Sequence, residues 1–190
     1  MNRLLYLGPE NLRIAHYLKL KGYDITRIEY EASLELFLKY DYYISFGYRY
    51  IIPEEILNKI KNPVINIHVS YLPWNRGADP NIWSFLEDTH KGVSIHKIEK
   101  GTDTGAIYLQ KEIFFEKHDT LRTSYDKLIK LAEDMFLLYG NDILKGYIIP
   151  KAQKVELGTY HKSSDKEPYL RFLTEGYDTP IENLIGKGVI

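Results

Sequence analysis

Three polar side chains alternate along a stretch that is otherwise mostly apolar, VINIHVS from Val64 to Ser70. Asn66, His68 and Ser70 stand two residues apart, and residues at i and i+2 of a β-strand project from the same face. A neighbouring amide and imidazole can stabilise an oxyanion and move a proton. The same alternation is also typical of a half-exposed strand, so the pattern alone leaves both interpretations open.

A second polar cluster lies in the segment GTDTG, which runs from Gly101 to Gly105. Its glycines permit a sharp turn, and Asp103 stands between two threonines. If this loop folds back over the strand, Asp103 can contact His68 and fix the tautomer of its imidazole. A turn aspartate with a purely structural role is the alternative.

Other kinds of chemistry find no support in the sequence. The chain has no cysteine, which excludes disulfides, thiolate metal sites and a cysteine nucleophile. His90, His96 and His118 lack the spacing of a metal site, and His16 and His161 are typical of surface residues, so we expect no metal. There is no GxGxxG after the first strand, no Walker-type GKS or GKT, and no GxSxG.

The elements that must position these residues follow from the alternation of short β-like runs with helical patterns. The patterns predict strands at 3–8, 24–30, 41–47, 64–70, 92–99 and 106–115, and helices at 11–21, 33–39, 53–61, 80–87 and 120–145. The last two strands are close in sequence and indicate an antiparallel pair. The fold class is therefore α/β, with a Rossmann-like, mostly parallel sheet and helices on both faces.

Length and composition indicate one ordinary globular domain. We expect residues 1–150 to form that domain and residues 151–190 to be a short C-terminal extension. The formal net charge of −1 offers no basic field for nucleic acid, and no apolar run approaches the ~18 residues of a membrane span. The N-terminal residues predict a strand and not a signal peptide, so we expect a cytoplasmic protein without nucleic-acid or membrane partners.

Together these motifs resemble the folate-dependent formyltransferases, which include methionyl-tRNA formyltransferase, glycinamide ribonucleotide transformylase and the sugar-nucleotide N-formyltransferases. The resemblance rests on the Asn66-x-His68 strand, the turn Ser70-Tyr71-Leu72-Pro73, the pair Arg76-Gly77 and the later Asp103-Thr104-Gly105. It implies the N-terminal-domain fold of that family. A weaker similarity extends back through SFGYRYIIPEEIL.

The resemblance implies transfer of a formyl group from 10-formyltetrahydrofolate to a primary amine, with catalytic residues Asn66, His68 and Asp103. Asn66 would donate to the oxyanion that forms at the formyl carbon. His68 would take the amine proton or help to hold the oxyanion, and the sequence leaves both roles open. The folate would lie against two loops, whose residues are Phe46, Gly47, Tyr48, Arg49, Tyr50, Ile51, Gly101 and Thr102.

The segment RGADPNIWSF is most similar to the sugar-nucleotide enzymes and implies a nucleotide-linked amino-deoxysugar acceptor, commonly a dTDP-4-amino-4,6-dideoxyhexose of lipopolysaccharide O-antigen biosynthesis. The candidate acceptor residues are Ser70, Trp74, Arg76, Gly77 and Asn81. Trp83 either joins them or forms the core face of a short helix.

Three alternatives and one question of assembly stay open. The tRNA enzymes carry a second domain, and the purine enzyme begins with a glycine- and serine-rich phosphate loop that LGPENLR lacks. The third alternative is a non-catalytic folate- or nucleotide-binding module. Whether the chain forms a homodimer is also open.

Overall fold

The computed structural model describes residues 2–188, which form a six-stranded sheet flanked by helices. The strands are β1 (Asn2–Leu7), β2 (Tyr23–Ile28), β3 (Tyr42–Phe46), β4 (Val64–His68), β5 (Arg76–Gly77), β6 (Gly92–Lys97), β7 (Ile107–Glu112) and β8 (Tyr160–His161). The helices are α1 (Leu12–Leu20), α2 (Leu34–Phe37), α3 (Glu54–Lys59), α4 (Pro80–Leu86) and α5 (Leu121–Leu144).

The strand order in the main sheet is β2-β1-β3-β4-β6-β7. β2, β1, β3 and β4 are parallel, whereas β6 runs antiparallel to β4 and β7 antiparallel to β6. Parallel neighbours need a crossover helix, and the helical patterns between the first four strands supply one each time. This confirms the predicted α/β class and the antiparallel pair formed by the last two long strands.

Both faces of β1 are buried, which is why its sequence is a continuous apolar run. Leu4 and Tyr6 pack into a cluster with residues of α1 and α5. Leu5 and Leu7 project from the other face and pack against residues of α2 and α3. The helices therefore cover both faces of the sheet, as the sequence predicted.

Side-chain caps fix the starts of three helices. Asn11 Oδ1 accepts a hydrogen bond from Ile14 N at 3.0 Å, and Ser33 Oγ accepts one from Leu36 N at 3.3 Å. Thr120 forms a capping box with Thr123 at the start of α5. Each bond satisfies a backbone N–H that has no partner within its helix.

The buried face of α5 differs from the one that its large apolar residues indicate. Leu121, Leu128 and Met135 are buried as expected, but Tyr125 is 45% exposed and Leu138 is 70% exposed. The face is completed by Ser124, Ala132, Phe136, Gly140, Ile143 and Leu144. A Cβ on Gly140 would lie 2.7 Å from the ring of Phe136, one turn earlier in the same helix, so the glycine leaves room for that buried ring.

The residues after α5 pack against the sheet and against α4. β8 pairs with β5 in a small parallel sheet, and Lys151 bridges to Ile107. Further on, 3-10 turns run over Val155–Leu157, Ser163–Phe172, Gly176–Asp178 and Ile181–Asn183. Ile181 and Leu184 join an apolar cluster with residues of α4 and Leu121.

His161 of β8 packs against Trp83 of α4. His161 does not lie on the surface: its side chain is 11% exposed and stacks on Trp83, with ring centroids 3.7 Å apart and an interplanar angle of 6°. Trp83 itself is 3% exposed within the apolar cluster. The structure therefore supports Trp83 as the core face of a short helix.

Candidate active site

Asn66 and His68 project from one face of β4 into a cluster of polar side chains. In the antiparallel register, Asn66 stands opposite His96 and His68 stands opposite Ser94. Asn66 Nδ2 lies 3.0 Å from His96 Nε2. The centroids of the His68 and His96 rings are 6.2 Å apart and the rings are nearly perpendicular.

Asp103 reaches this cluster because the loop between β6 and β7 folds back over β4. Its Oδ2 lies 3.7 Å from His68 Nε2, and its Oδ1 accepts a bond from Asn66 Nδ2 at 3.4 Å. Oδ2 also accepts a hydrogen bond from Gly77 N at 2.9 Å. The predicted residues Asn66, His68 and Asp103 therefore lie together, and the loop conformation supposed for Asp103 is the one observed.

Burial and the neighbouring groups set the charges of His68 and Asp103. Burial lowers the pKa of His68; Asp103 opposes that shift and His96 adds to it, so the imidazole is neutral near pH 7. Burial works against ionisation of Asp103, but His68, His96 and the Gly77 N–H outweigh it and lower the pKa of its carboxyl group. The cluster thus combines an ionised carboxylate with a neutral imidazole.

His96 is a member of the cluster that the sequence analysis did not identify. Its Nδ1 lies 2.9 Å from Lys97 O, and its Nε2 lies 3.4 Å from Asp103 Oδ1. Nε2 also lies 3.0 Å from Asn66 Nδ2, so His96 contacts both the amide of Asn66 and the carboxylate of Asp103. Only the strand register brings His96 opposite Asn66, and spacing in the sequence gives no sign of it.

Asn75 is the second residue that the sequence analysis missed. It is 1% exposed and adopts a left-handed backbone conformation with φ of 54°. Its carbonyl oxygen lies 3.4 Å from His68 Nε2. Its side chain donates to Thr89 Oγ1 at 2.7 Å, and its N–H donates to Thr159 Oγ1 at 2.9 Å. An asparagine in a turn between Trp74 and Arg76 was the available signal, because Asn tolerates this conformation better than most residues.

The candidate acceptor residues divide into two groups. Gly77 contacts Asp103 through its N–H, and Trp74 and Arg76 are partly exposed on the same loop. Ser70 and Asn81 are buried: Ser70 Oγ donates to Trp74 O, and Asn81 Nδ2 donates to Leu121 O at 3.0 Å and to Ser124 Oγ at 3.1 Å. The contacts of these last two side chains are internal to the protein.

The candidate folate residues occupy two loops beside the cluster. Phe46 is buried, and Tyr48 uses its hydroxyl to bind Tyr30 O and Ala32 N. The six others are all exposed, namely Gly47, Arg49, Tyr50, Ile51, Gly101 and Thr102. Within residues 2–188, the backbone groups of 48–51 make no backbone–backbone hydrogen bond, which leaves them free to bind a ligand.

Among residues 2–188 no group of three or more His, Cys, Asp or Glu side chains is arranged to hold a metal ion. No helix in that same part of the chain combines the length and the apolar character needed to span a bilayer.

The chain is similar to known proteins of one family. The family model described as formyl transferase matches residues 19–138. The methionyl-tRNA formyltransferase of Wolbachia pipientis subsp. Culex pipiens is 44% identical over 108 residues, which is 56% of this chain and 36% of the relative. That of Dictyoglomus thermophilum is 40% identical over 154 residues, which is 77% of this chain and 49% of the relative. The chain thus spans between a third and a half of these relatives.

Solved structures match over a larger part of the chain. The formyltransferase PseJ from Anoxybacillus kamchatkensis, in complex with UDP-4,6-dideoxy-4-formamido-L-AltNAc and tetrahydrofolate, is 45% identical, with a TM-score of 0.92 over 98% of this chain and 99% of PseJ. The N-formyltransferase from Helicobacter canadensis is 19% identical, with a TM-score of 0.77 over 100% of this chain and 81% of that one, which shows the shared fold. The predicted family is confirmed, and the chain belongs to the formyl transferase family.

Proposed function

We propose that this chain transfers a formyl group from 10-formyltetrahydrofolate to the primary amine of a nucleotide-linked amino-deoxysugar. The observation that carries the proposal is the convergence of Asn66, His68 and Asp103, with Asp103 Oδ2 lying 3.7 Å from His68 Nε2. The full-length similarity to PseJ, whose complex contains a formamido sugar nucleotide and tetrahydrofolate, supports the choice of donor and acceptor.

His68 is suited to take the proton that the amine loses on formylation. Both atoms that face its Nε2, Asn75 O and Asp103 Oδ2, are oxygen acceptors. The proton of the neutral ring therefore lies on Nε2 and the lone pair on Nδ1. We infer that Nδ1 is the base, and that the nearby carboxylate stabilises the imidazolium once the proton has been taken. This favours the base role over the oxyanion role.

Asn66 is suited to stabilise negative charge on the formyl oxygen. One hydrogen of its Nδ2 is directed to His96 Nε2 at 3.0 Å, and the other to Asp103 Oδ1 at 3.4 Å. The second bond is the longer and weaker one, so it can be exchanged for a bond to the substrate oxygen. His96 keeps the amide oriented during that exchange. A donor held in place before the reaction stabilises a developing charge without a cost of reorganisation.

The two loops fit a folate by their surface and by their free backbone groups. Tyr50 is 43% exposed and Ile51 is 84% exposed, so a flat ring system would cover apolar surface at the carboxyl end of β3. The unpaired backbone groups of 48–51 can bind the polar edge of such a ring. Lys100 pairs with Glu54 at 3.2 Å and connects the loop of Gly101 and Thr102 to the start of α3.

Arg76 is suited to the diphosphate of the acceptor. Within the described residues its guanidinium forms no salt bridge, and its Nε is buried without a hydrogen-bond partner. The Tyr160 ring lies 5.9 Å away. A guanidinium with free donors binds phosphate oxygens well. We propose that Arg76 contacts the diphosphate and that Trp74 lines the same side of the pocket.

The identities of the nucleotide and of the sugar are the most specific parts of the proposal. The sequence alone favoured a dTDP-4-amino-4,6-dideoxyhexose, whereas the similarity to PseJ favours a UDP-linked 4-amino-4,6-dideoxysugar, which we propose as the acceptor. Use of the product in surface polysaccharide, a cytoplasmic location and assembly as a homodimer stay predictions.

The test is a comparison of acceptors in the presence of 10-formyltetrahydrofolate, with mass spectrometry of the products. We expect a mass gain of one CO unit on UDP-4-amino-4,6-dideoxy-L-AltNAc, and none in a matched reaction with His68→Ala protein. A gain on dTDP-4-amino-4,6-dideoxyglucose alone would change the nucleotide assignment. A gain only on glycinamide ribonucleotide or on methionyl-tRNA would overturn the sugar assignment, and no gain on any amine would favour the non-catalytic alternative.

A further inference from the structure

Gln153 connects the segment after α5 to the loop that carries Asp103. Its Nε2 donates to Asp103 O at 2.9 Å and to Gly105 O at 2.7 Å. Two carbonyl oxygens can only face the NH2 end of the amide, so the orientation of the side chain is determined. Both hydrogens of a single amide therefore hold the backbone on either side of Thr104.

The loop that Gln153 binds has a conformation that needs such support. Gly101 has φ of 97°, and Asp103, which is not a glycine, also has a left-handed φ of 52°. A Cβ on Gly105 would lie 1.8 Å from Lys97 O, so the chain passes very close to β6. A left-handed backbone conformation is unfavourable for a residue with a Cβ, so surrounding contacts must maintain it.

We propose that Gln153 is a positioning residue of the active site, which holds the Gly101–Gly105 loop so that the carboxylate of Asp103 stays against His68 and Gly77. The predicted C-terminal extension then contributes to the site twice. Gln153 binds the backbone of the Asp103 loop, and β8 pairs with β5, whose Gly77 donates to Asp103 Oδ2.

The catalytic part of this inference rests on the proposed function, but its geometric part does not. Gly77 N–H donates to Asp103 Oδ2, whereas its neighbours Arg76 and Ala78 donate to Thr159 O and His161 O of the β8 segment. Amide exchange can therefore report separately on Asp103 and on the β5–β8 pairing, in the protein without substrate.

The first measurement is hydrogen exchange by NMR on Gln153→Met protein, which keeps an unbranched side chain of similar length and loses both donors. We expect the Gly77 amide to exchange roughly tenfold faster, equivalent to ~1.4 kcal/mol of local opening, while Arg76 and Ala78 keep their rates. Unchanged exchange at Gly77 would overturn the proposal. Equal acceleration of all three amides would also overturn it, because Gln153 would then support the fold in general.

The second measurement is the pKa of His68, followed by NMR of its ring. The titratable groups that face His68 are Asp103 and His96. Since the Asp103 carboxylate favours the charged imidazole, its displacement in Gln153→Met should lower the pKa of His68 below that of the unaltered protein. An unchanged or raised value would contradict the proposal. Neither readout needs turnover, so inactivity of the unaltered protein would refute only the proposed function.

The third measurement separates kcat from KM in the formyl transfer assay. We expect Gln153→Met to lower kcat by ~10- to 100-fold with little change in KM, because the reacting groups would be misplaced while the binding surfaces remain. A change confined to KM would assign Gln153 to substrate binding and overturn the positioning role.

The matched control is Asn62→Ala. Asn62 also donates its side-chain amide to a backbone carbonyl, Asp41 O, at 2.7 Å, but it lies in the loop before β4, away from Asp103. Its loss should leave Gly77 exchange, the His68 pKa and kcat unchanged. Should Gln153→Met fail to fold, Gln153→Asn decides by the same comparisons, because its amide is one methylene too short to reach both carbonyls.

Discussion

The Asp103 carboxylate is held between His68 and Gly77, with Oδ2 lying 3.7 Å from His68 Nε2 and 2.9 Å from Gly77 N. One oxygen atom thus faces both the proposed base and the loop that carries the candidate acceptor residues. Any movement of the Asp103 loop changes the charge environment of His68 and the support of Gly77 together.

Removal of the imidazole should abolish most of the activity and little of the structure. We expect His68→Ala to reduce turnover by ~10²-fold or more, because the base that accepts the amine proton is lost. Circular dichroism and the thermal midpoint should show a folded protein. His16→Ala, which alters an exposed histidine of α1, is the matched control and should retain full turnover. Near-normal activity of His68→Ala would refute the base role.

Acid should inactivate the enzyme as His68 becomes charged. Burial lowers the pKa of His68, so its neutral form persists to a pH below the ordinary value of about 6.5. We expect kcat/KM to be constant near neutral pH and to fall only as the pH drops through that lowered pKa. A rate that already halves above about pH 6.5 would contradict the assignment.

The lowered pKa of His68 also determines how the free energy of unfolding changes with pH. A histidine with a lowered pKa in the folded state contributes its stability fully above the unfolded value of about 6.5 and loses it as the pH falls below that value. The lowered pKa of Asp103 acts in the same direction at more acidic pH. We expect the free energy of unfolding in urea to fall between about pH 7 and about pH 5, and to fall less in His68→Ala. An equal fall in both proteins would contradict this account.

Gly77 should tolerate no side chain, for reasons beyond its backbone angle. Gly77 and Gly22 have φ of 90° and 82°, so alanine costs of order 1–2 kcal/mol at either position. A Cβ at Gly77 would also lie 2.3 Å from His161 O, whereas nothing lies within 4 Å at Gly22. Gly77→Ala should therefore separate β5 from β8 and lower both the thermal midpoint and kcat. Gly22→Ala should lower the midpoint alone. Equal kcat in the two variants would show that Gly77 does not support Asp103.

A substitution at Asn81 distinguishes a structural role of its side chain from a role in substrate binding. Its buried amide donates to Leu121 O and Ser124 Oγ, so Asn81→Ala should lower the free energy of unfolding by ~1–3 kcal/mol. We expect KM for the sugar nucleotide to stay unchanged, measured below the unfolding temperature. The exposed Asn58 of α3 gives the control Asn58→Ala, which should affect neither quantity. A raised KM in Asn81→Ala would support the prediction that Asn81 contacts the acceptor.

The sequence by itself determined the order of elements and three members of the site. Apolar runs and helical spacing are local signals, and they produced the expected strands and helices. Asn66 and His68 were found for the same reason, since adjacent positions on one strand share a face in any fold. Asp103 was found because a motif and its glycines marked a turn.

Only the tertiary structure decided which other side chains complete the site. His96 faces Asn66 through the antiparallel register of β6 on β4, and Asn75 and Gln153 arrive from a turn and from the segment after α5. Such contacts form between segments that are distant in the sequence, so no local sequence pattern predicts them. Burial likewise set the charge states, because desolvation acts on His68 only after the surrounding elements have packed.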